Sequence, residues 1–167
     1  DRDNDIVYVL AELKIKGGVP AIHASRMKAI ASNVRVAWPH DGTQRDKGSG
    51  DQLAAIYRRE GLLMLDKHAT FEGGGYSTEA GIMEMLARMR SDRFKVAAQC
   101  IEWQEEFAGY HRDQGLIVKT NDDLLSATRI GIMQLRSGKA VPLGSTRQER
   151  RGLQYAQGRD FDPWTGL

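Results

Sequence analysis

Short β-rich runs alternate with longer amphipathic stretches along this chain, and that alternation limits its fold more than any other feature. Residues 6 to 15, IVYVLAELKI, are rich in β-branched residues with partial polar alternation and predict a strand. Gly17-Gly18 break it. Pro20 suits the first turn of a helix, where its missing N–H is no loss, and Ile22, Met27 and Ile30 give that helix an apolar face through Ser32. VRVAW at 34–38 predicts a short strand stopped by Pro39. Residues 48–60 predict a helix with Leu53, Ile56 and Tyr57 on one side, capped by Gly61, and LLML at 62–65 reads as a buried strand. A glycine-rich loop at 66–77 follows. Ser77 or Thr78 is then placed to cap a helix with Ile82, Met83, Leu86 and Met89 on one face. FKVAA at 94–98 is a short strand or an extended link. The stripe Cys100, Trp103, Phe107 and Tyr110 predicts a core-facing helix over 99–112. LIVK at 116–119 is a strand or hairpin arm, and NDDLLSATRIGIMQLRSG a helix ending at Gly138. The pattern is α/β, a sheet flanked by helices.

The opening DRDND reads as a hairpin turn, and a turn leading into a strong strand implies a partner strand ahead of it. Past Gly138 the periodicity fades into a polar stretch punctuated by Pro142, Gly144, Gly152, Gly158, Pro163 and Gly166. The expected organisation is one folded domain at 1–138 and an extended or partly disordered tail at 139–167.

Composition narrows the function classes. No run approaches the roughly 20 apolar residues that span a bilayer, and no signal peptide is visible. A single cysteine rules out a disulfide within the chain and argues against a cysteine zinc site, so Cys100 is expected to pack as a core residue in a reducing cytoplasm. The net charge of +2 is low for a strongly basic nucleic-acid binder, but charge is unevenly placed. Five basic residues face three acidic ones between Lys139 and Leu167, and Arg45 and Lys47 lie beside carboxylates. His40, His68 and His111 lack the helical spacing of a zinc site and are expected at the surface or in packing. The SGK at 137–139 lacks the rest of a phosphate loop, so no ATP site is expected. Glu102, Glu105 and Glu106 read as a solvated helix face.

Two features can carry chemistry. VRVAWPHDG delivers Asp41 just past the C-terminal end of a strand, the edge where open α/β sheets bind ligands. Asp-Gly is also a common turn dipeptide. Asn121-Asp122-Asp123 opens the last helix, where Asn caps well and Asp is favoured by the helix dipole. The capping and ligand roles are compatible. If the fold joins them, Asp41, Asp122 and Asp123 can share one or two Mg2+ or Mn2+ ions, whose charge relieves the carboxylates' repulsion. Arg45, Lys47 and Lys67 are candidate phosphate contacts, with surface solvation as the plain alternative.

VRVAWPHDG, HATFEGGGYSTEAGIMEMLARM, RFKVAAQCIEWQEEFAGYHRDQGLIVK and DDLLSATRIGIM together resemble the nuclease domain of large terminase subunits from tailed double-stranded DNA phages, over residues 1–138. The resemblance implies an RNase H-like fold with a central mixed β-sheet flanked by helices. It implies a two-metal DNA endonuclease that cuts concatemeric viral DNA during packaging in the host cytoplasm. The family's second acidic position matches Asp41, and its later positions match Asp122 and Asp123. Its first catalytic aspartate lies on a strand just ahead of the DRDND turn, and no residue here matches it; Asp1, Asp3 and Asp5 are turn residues. The expected partners are double-stranded DNA, an N-terminal ATPase domain, the portal and the small terminase subunit. The expected contact for the tail is the portal or another packaging component. Two alternatives stand beside this reading: a non-catalytic DNA-gripping or portal-docking module, and another RNase H-like nuclease such as a junction resolvase.

Overall fold

The computed structural model describes residues 1–138, so the expected tail at 139–167 lies outside the described residues. In chain order the elements are β1 (Val7–Val9), α1 (Pro20–Ile30), β2 (Arg35–Val36), α2 (Leu53–Arg59), β3 (Leu63–Met64), α3 (Thr78–Arg90), β4 (Phe94–Val96), α4 (Ile101–Gly109), β5 (Arg112–Asp113), β6 (Leu116–Ile117) and α5 (Asp123–Met133). Single 3-10 turns span His40–Thr43 and Leu135–Ser137.

Among the described residues the strands pair in twos. β1 lies parallel to β4 with Val7 opposite Phe94, and β2 lies parallel to β3 with Arg35 opposite Leu63. β5 and β6 form an antiparallel hairpin whose turn places Gln114 and Gly115 at positive φ, as a two-residue hairpin turn requires. Parallel neighbours need long crossovers, and helices supply them. The strand predicted over 6–15 pairs only through Val9. Beyond it the Leu10 carbonyl accepts a hydrogen bond from Gln99 Nε2, and Glu12 and Lys14 turn to the ends of α4 and α5. The helix predicted from 48 starts at Leu53. Asp46 accepts the N–H groups of Gly48 (3.0 Å) and Ser49 (2.7 Å), a local arrangement that competes with helix.

α5 organises the interior, packing on α3 and α4, with Leu124, Leu125 and Ile132 in the core they share and Ile130 and Met133 buried against Ala69. The main core joins Met85, Phe94, Cys100, Trp103 and Leu124 beneath β1 and β4. Trp103 also donates from Nε1 to Thr128 Oγ1 at 2.9 Å. Cys100 is fully buried, and that burial, with Glu12 nearby, pushes its thiol up, in keeping with a packing role. Smaller clusters join Trp38, Ala54 and Leu65, and Ala69, Ile130 and Met133, with Ala37 packed against both.

Four expectations about individual residues change, the first being Phe107, expected on the core-facing stripe of α4 but 48% exposed. α3 buries Gly81, Met85 and Arg88, whereas Met83 is exposed. α1 buries only Ala24, and Ile22 and Ile30 stay half exposed. Glu106 is not on a solvated face. It is buried, because Lys14 and two backbone N–H groups satisfy its carboxylate, while Glu102 and Glu105 are exposed as expected.

Asp5, at positive φ after the opening turn, accepts Arg88 Nη1 (3.0 Å) and Arg93 Nη1 (2.6 Å). The Arg88 hydrogen bond, helped by both guanidinium charges, holds its carboxyl below the usual aspartate range. This contribution is complete above the unfolded value of about 3.9 and is lost as pH falls through the lower folded value. Urea melts at pH 7 and pH 3 are expected to show a smaller acid loss for Asp5→Asn than for the native chain.

Candidate active site

The WPHDG segment is buried at one end and open at the other. Trp38 is buried, donates from Nε1 to the Leu65 carbonyl at 2.6 Å, and carries the Arg58 guanidinium 5.7 Å over its ring. The Ala69 N–H donates to the Trp38 carbonyl at 2.7 Å, extending the β2–β3 pairing. The 3-10 turn then lifts His40 and Asp41 to the surface. Gly42 is required there by close approach rather than by its φ. A Cβ at this position would lie 2.6 Å from Cε3 of the Trp38 ring. Among the described residues no hydrogen bond or ion pair engages the Asp41 carboxylate.

The second acidic segment is set by the head of α5. Asn121, expected as the cap, sits at positive φ, and Asp122 takes the N-cap position without a side-chain cap bond. Asp122 Oδ2 instead accepts Ser126 Oγ at 3.3 Å. The free N–H groups of Leu124 and Leu125 donate to Glu106 Oε2 at 2.8 and 3.1 Å. Lys14 Nζ lies 2.6 Å from Glu106 Oε1 and 3.3 Å from Asp123 Oδ2. The Glu106 hydrogen bond, reinforced by Asp123, keeps this ammonium protonated above the usual lysine range.

Asp41 and Asp123 line one cleft of about 570 Å³. Asp123, Ser126, Ala127 and Ile130 form its α5 wall, spaced as one helical face. Asp122 is turned about 100° from Asp123 around the helix and is not among the lining residues. The opposite wall is aromatic. His40 stacks on Tyr76 (4.8 Å between centroids), and His68 meets His40 edge-on at 4.9 Å. The His40 and His68 packing role agrees with expectation. Arg129 also lines the cleft, with its stem against Gly81, where a Cβ would fall 2.4 Å from Arg129 Cγ. Arg129 and Tyr76 were not singled out from the sequence. Continuing the helical face from Asp123 identifies the α5 wall, but nothing in the sequence places Tyr76 opposite it. Arg45, Lys47 and Lys67 are exposed and lie off the cleft wall. Arg45 donates to the Gly50 carbonyl at 2.8 Å, and the Lys67 carbonyl accepts Gln134 Nε2.

Among the described residues no group of three or more His, Cys, Asp or Glu side chains is placed to hold a metal ion, so the three-carboxylate cluster is not gathered. Two carboxylates still fit a hard cation of the Mg2+ kind. Such an ion keeps several waters and takes one or two protein carboxylates together with substrate phosphates. The unpartnered Asp41 and the 76% exposed side chain of Asp123 are donors of that type.

Parallel strand pairs with helical crossovers and an acidic cleft past a strand end define an α/β domain, and the comparisons give its family. The family model described as "Terminase RNaseH-like domain" matches residues 1–135. The chain belongs to that family. It is 49% identical over 143 residues to the large terminase subunit of Salmonella phage P22, and 48% identical over 143 residues to that of Enterobacteria phage LP7. Each match covers 84% of this chain but only 28% and 30% of those proteins, so the chain spans less than a third of their length. A solved structure described as "Structure of P22 Large terminase nuclease domain" superimposes with a TM-score of 0.76 at 45% identity, covering 83% of this chain and 72% of that one.

Proposed function

We propose that this chain is a divalent-metal-dependent DNA endonuclease domain of a phage packaging motor, cutting concatemeric viral DNA by two-metal hydrolysis in the host cytoplasm. The observation that carries the reading is that Asp41 and Asp123, from separate elements, face one cleft. These two residues are the proposed holders of Mg2+ or Mn2+, and Asp122, hydrogen-bonded to Ser126 at the same helix head, is proposed to assist from beside the cleft. When bound, such ions supply an activated water and stabilise the departing 3′ oxygen. Asp41 has no hydrogen-bond or ion-pair partner among the described residues, and the Asp123 side chain is 76% exposed, with Lys14 Nζ 3.3 Å from its Oδ2. Arg129 offers charge to a phosphate entering between α5 and the His40–Tyr76 wall. Arg45, Lys47 and Lys67 are proposed to contact flanking backbone phosphates. An ATPase domain, the portal and the small terminase subunit are the proposed partners. Among the described residues no helix is long and apolar enough to cross a membrane.

Supercoiled plasmid with Mn2+ tests this. Nicking and linearisation are expected, with complete loss in EDTA and recovery on adding back the metal. The rival reading, a DNA-gripping or docking module, is favoured by the cleft having two carboxylates rather than three. It predicts salt-sensitive DNA binding with no nicking in any divalent metal. Preference for four-way junctions over linear duplex would instead mark a resolvase.

A further inference from the structure

Glu106 has no part in the proposed chemistry, yet it is the most fully satisfied buried acid at the site. Its side chain is 4% exposed and accepts from Lys14 Nζ at 2.6 Å, Leu124 N at 2.8 Å and Leu125 N at 3.1 Å. Two of those donors are unpaired N–H groups in the first turn of α5, the helix that begins at Asp123. That helix has no local side-chain cap, so a carboxylate from α4 caps it. The same arrangement recurs one step back. Glu12 accepts from Glu102 N (3.1 Å) and Trp103 N (2.8 Å) at the head of α4. The segment leaving β1 therefore pins α4 through Glu12, and α4 pins α5 through Glu106.

We propose that Glu106 is a positioning residue for DNA cleavage, fixing the head of α5 so that Asp123 is held toward the cleft it shares with Asp41. This inference rests on the nuclease reading. Asp123 is largely exposed, and an exposed carboxylate at a helix end samples several directions unless the backbone beneath it is fixed. Metal sites need their ligands held to within about 0.5 Å, and buried acids around a ligand supply that restraint. Lys14 makes its shorter contact with Glu106 and its longer one with Asp123. The ammonium thus neutralises the buried acid and leaves Asp123 free to turn to a cation.

The test compares native protein, Glu106→Gln, Glu106→Asp, Asp123→Ala and the core variant Met85→Ala, all in the full-length protein. The readouts are steady-state cleavage of supercoiled plasmid, Mn2+ binding followed by the electron paramagnetic resonance of the free ion, and thermal melting. For Glu106→Gln, kcat is expected to fall roughly 10- to 100-fold and Mn2+ affinity about tenfold, with KM for DNA nearly unchanged. Glu106→Asp, which keeps the charge on a shorter stem, is expected to recover part of both. Native kcat and native Mn2+ affinity in Glu106→Gln, while Asp123→Ala no longer cuts, would overturn the positioning role and leave the nuclease reading intact. An equal kcat loss in Met85→Ala at matched melting temperature would also overturn it, since the effect would then be general destabilisation. If the native protein cuts in no divalent metal, the nuclease reading itself fails and this inference with it.

Discussion

Asp41→Ala and Asp123→Ala are each expected to lower metal-dependent plasmid cleavage at least about 100-fold, roughly 2.7 kcal/mol of lost transition-state stabilisation. The two residues share a cleft but come from a 3-10 turn after β2 and from the first residue of α5. Removing either leaves a hard cation with one protein carboxylate in that cleft. The loss should not reflect unfolding. Asp41 is exposed and unpartnered, so its removal is expected to change stability by less than about 0.5 kcal/mol. Asp122→Ala is expected to lose less, about tenfold, because its carboxylate sits on Ser126 Oγ rather than on the cleft wall. The opposite ranking of Asp122 and Asp123 would reassign the ligand on α5. The double variant Asp41→Ala/Asp123→Ala is expected to be little worse than either single one, since groups acting as a unit are not additive. Parallel cleavage time courses and urea melts on the same preparations check both halves of the prediction.

Trp38→Ala is expected to destabilise the protein by about 3–5 kcal/mol, within the range for removing a buried aromatic. Trp38 is 7% exposed and packs with Ala54 and Leu65, and deleting the ring removes one of the two hydrogen bonds to the Leu65 carbonyl, leaving that from Arg58 Nη2 at 2.8 Å. The ring also supports Gly42 and carries Arg58, so its loss frees the turn that presents Asp41. Against a typical total of about 5–15 kcal/mol, this is a large fraction. The measurement is the shift in urea midpoint at constant slope. Trp38→Phe retains much of the packing but not the N–H donor, and is expected to fall between the two. An alanine variant with a native midpoint would show that Trp38 does not anchor the turn.

The legible and illegible parts of the site follow a physical division. Asp41 and the Asp122-Asp123 pair stand at element boundaries, and boundaries are written in local signals: a proline that stops a strand, a glycine after an acid, a polar triplet before an apolar helix. Glu106 was misjudged for the opposite reason. Glu102, Glu105 and Glu106 look alike in a row, and a helical period does not say which of them a distant lysine will reach. Lys14 comes from the segment after β1, where the predicted strand has left its ladder, and no local pattern marks that departure. The α2 start shifted for a similar reason, because Asp46 captures the N–H groups that would have opened the helix earlier.

Residue order alone determined the α/β class, the positions of five helices, the packing role of Cys100 and the resemblance that the comparisons bear out, since each depends on periodicity, composition or contiguous motifs. Tertiary structure decided that Asp41 and Asp123 share a cleft, that Asp122 does not line it, that an aromatic wall and Arg129 complete it, and that Glu106 is interior. Those are relations between segments far apart in the chain. Their free energy comes from burial and pairing that exist only once the helices have packed, so no local stretch of sequence can encode them.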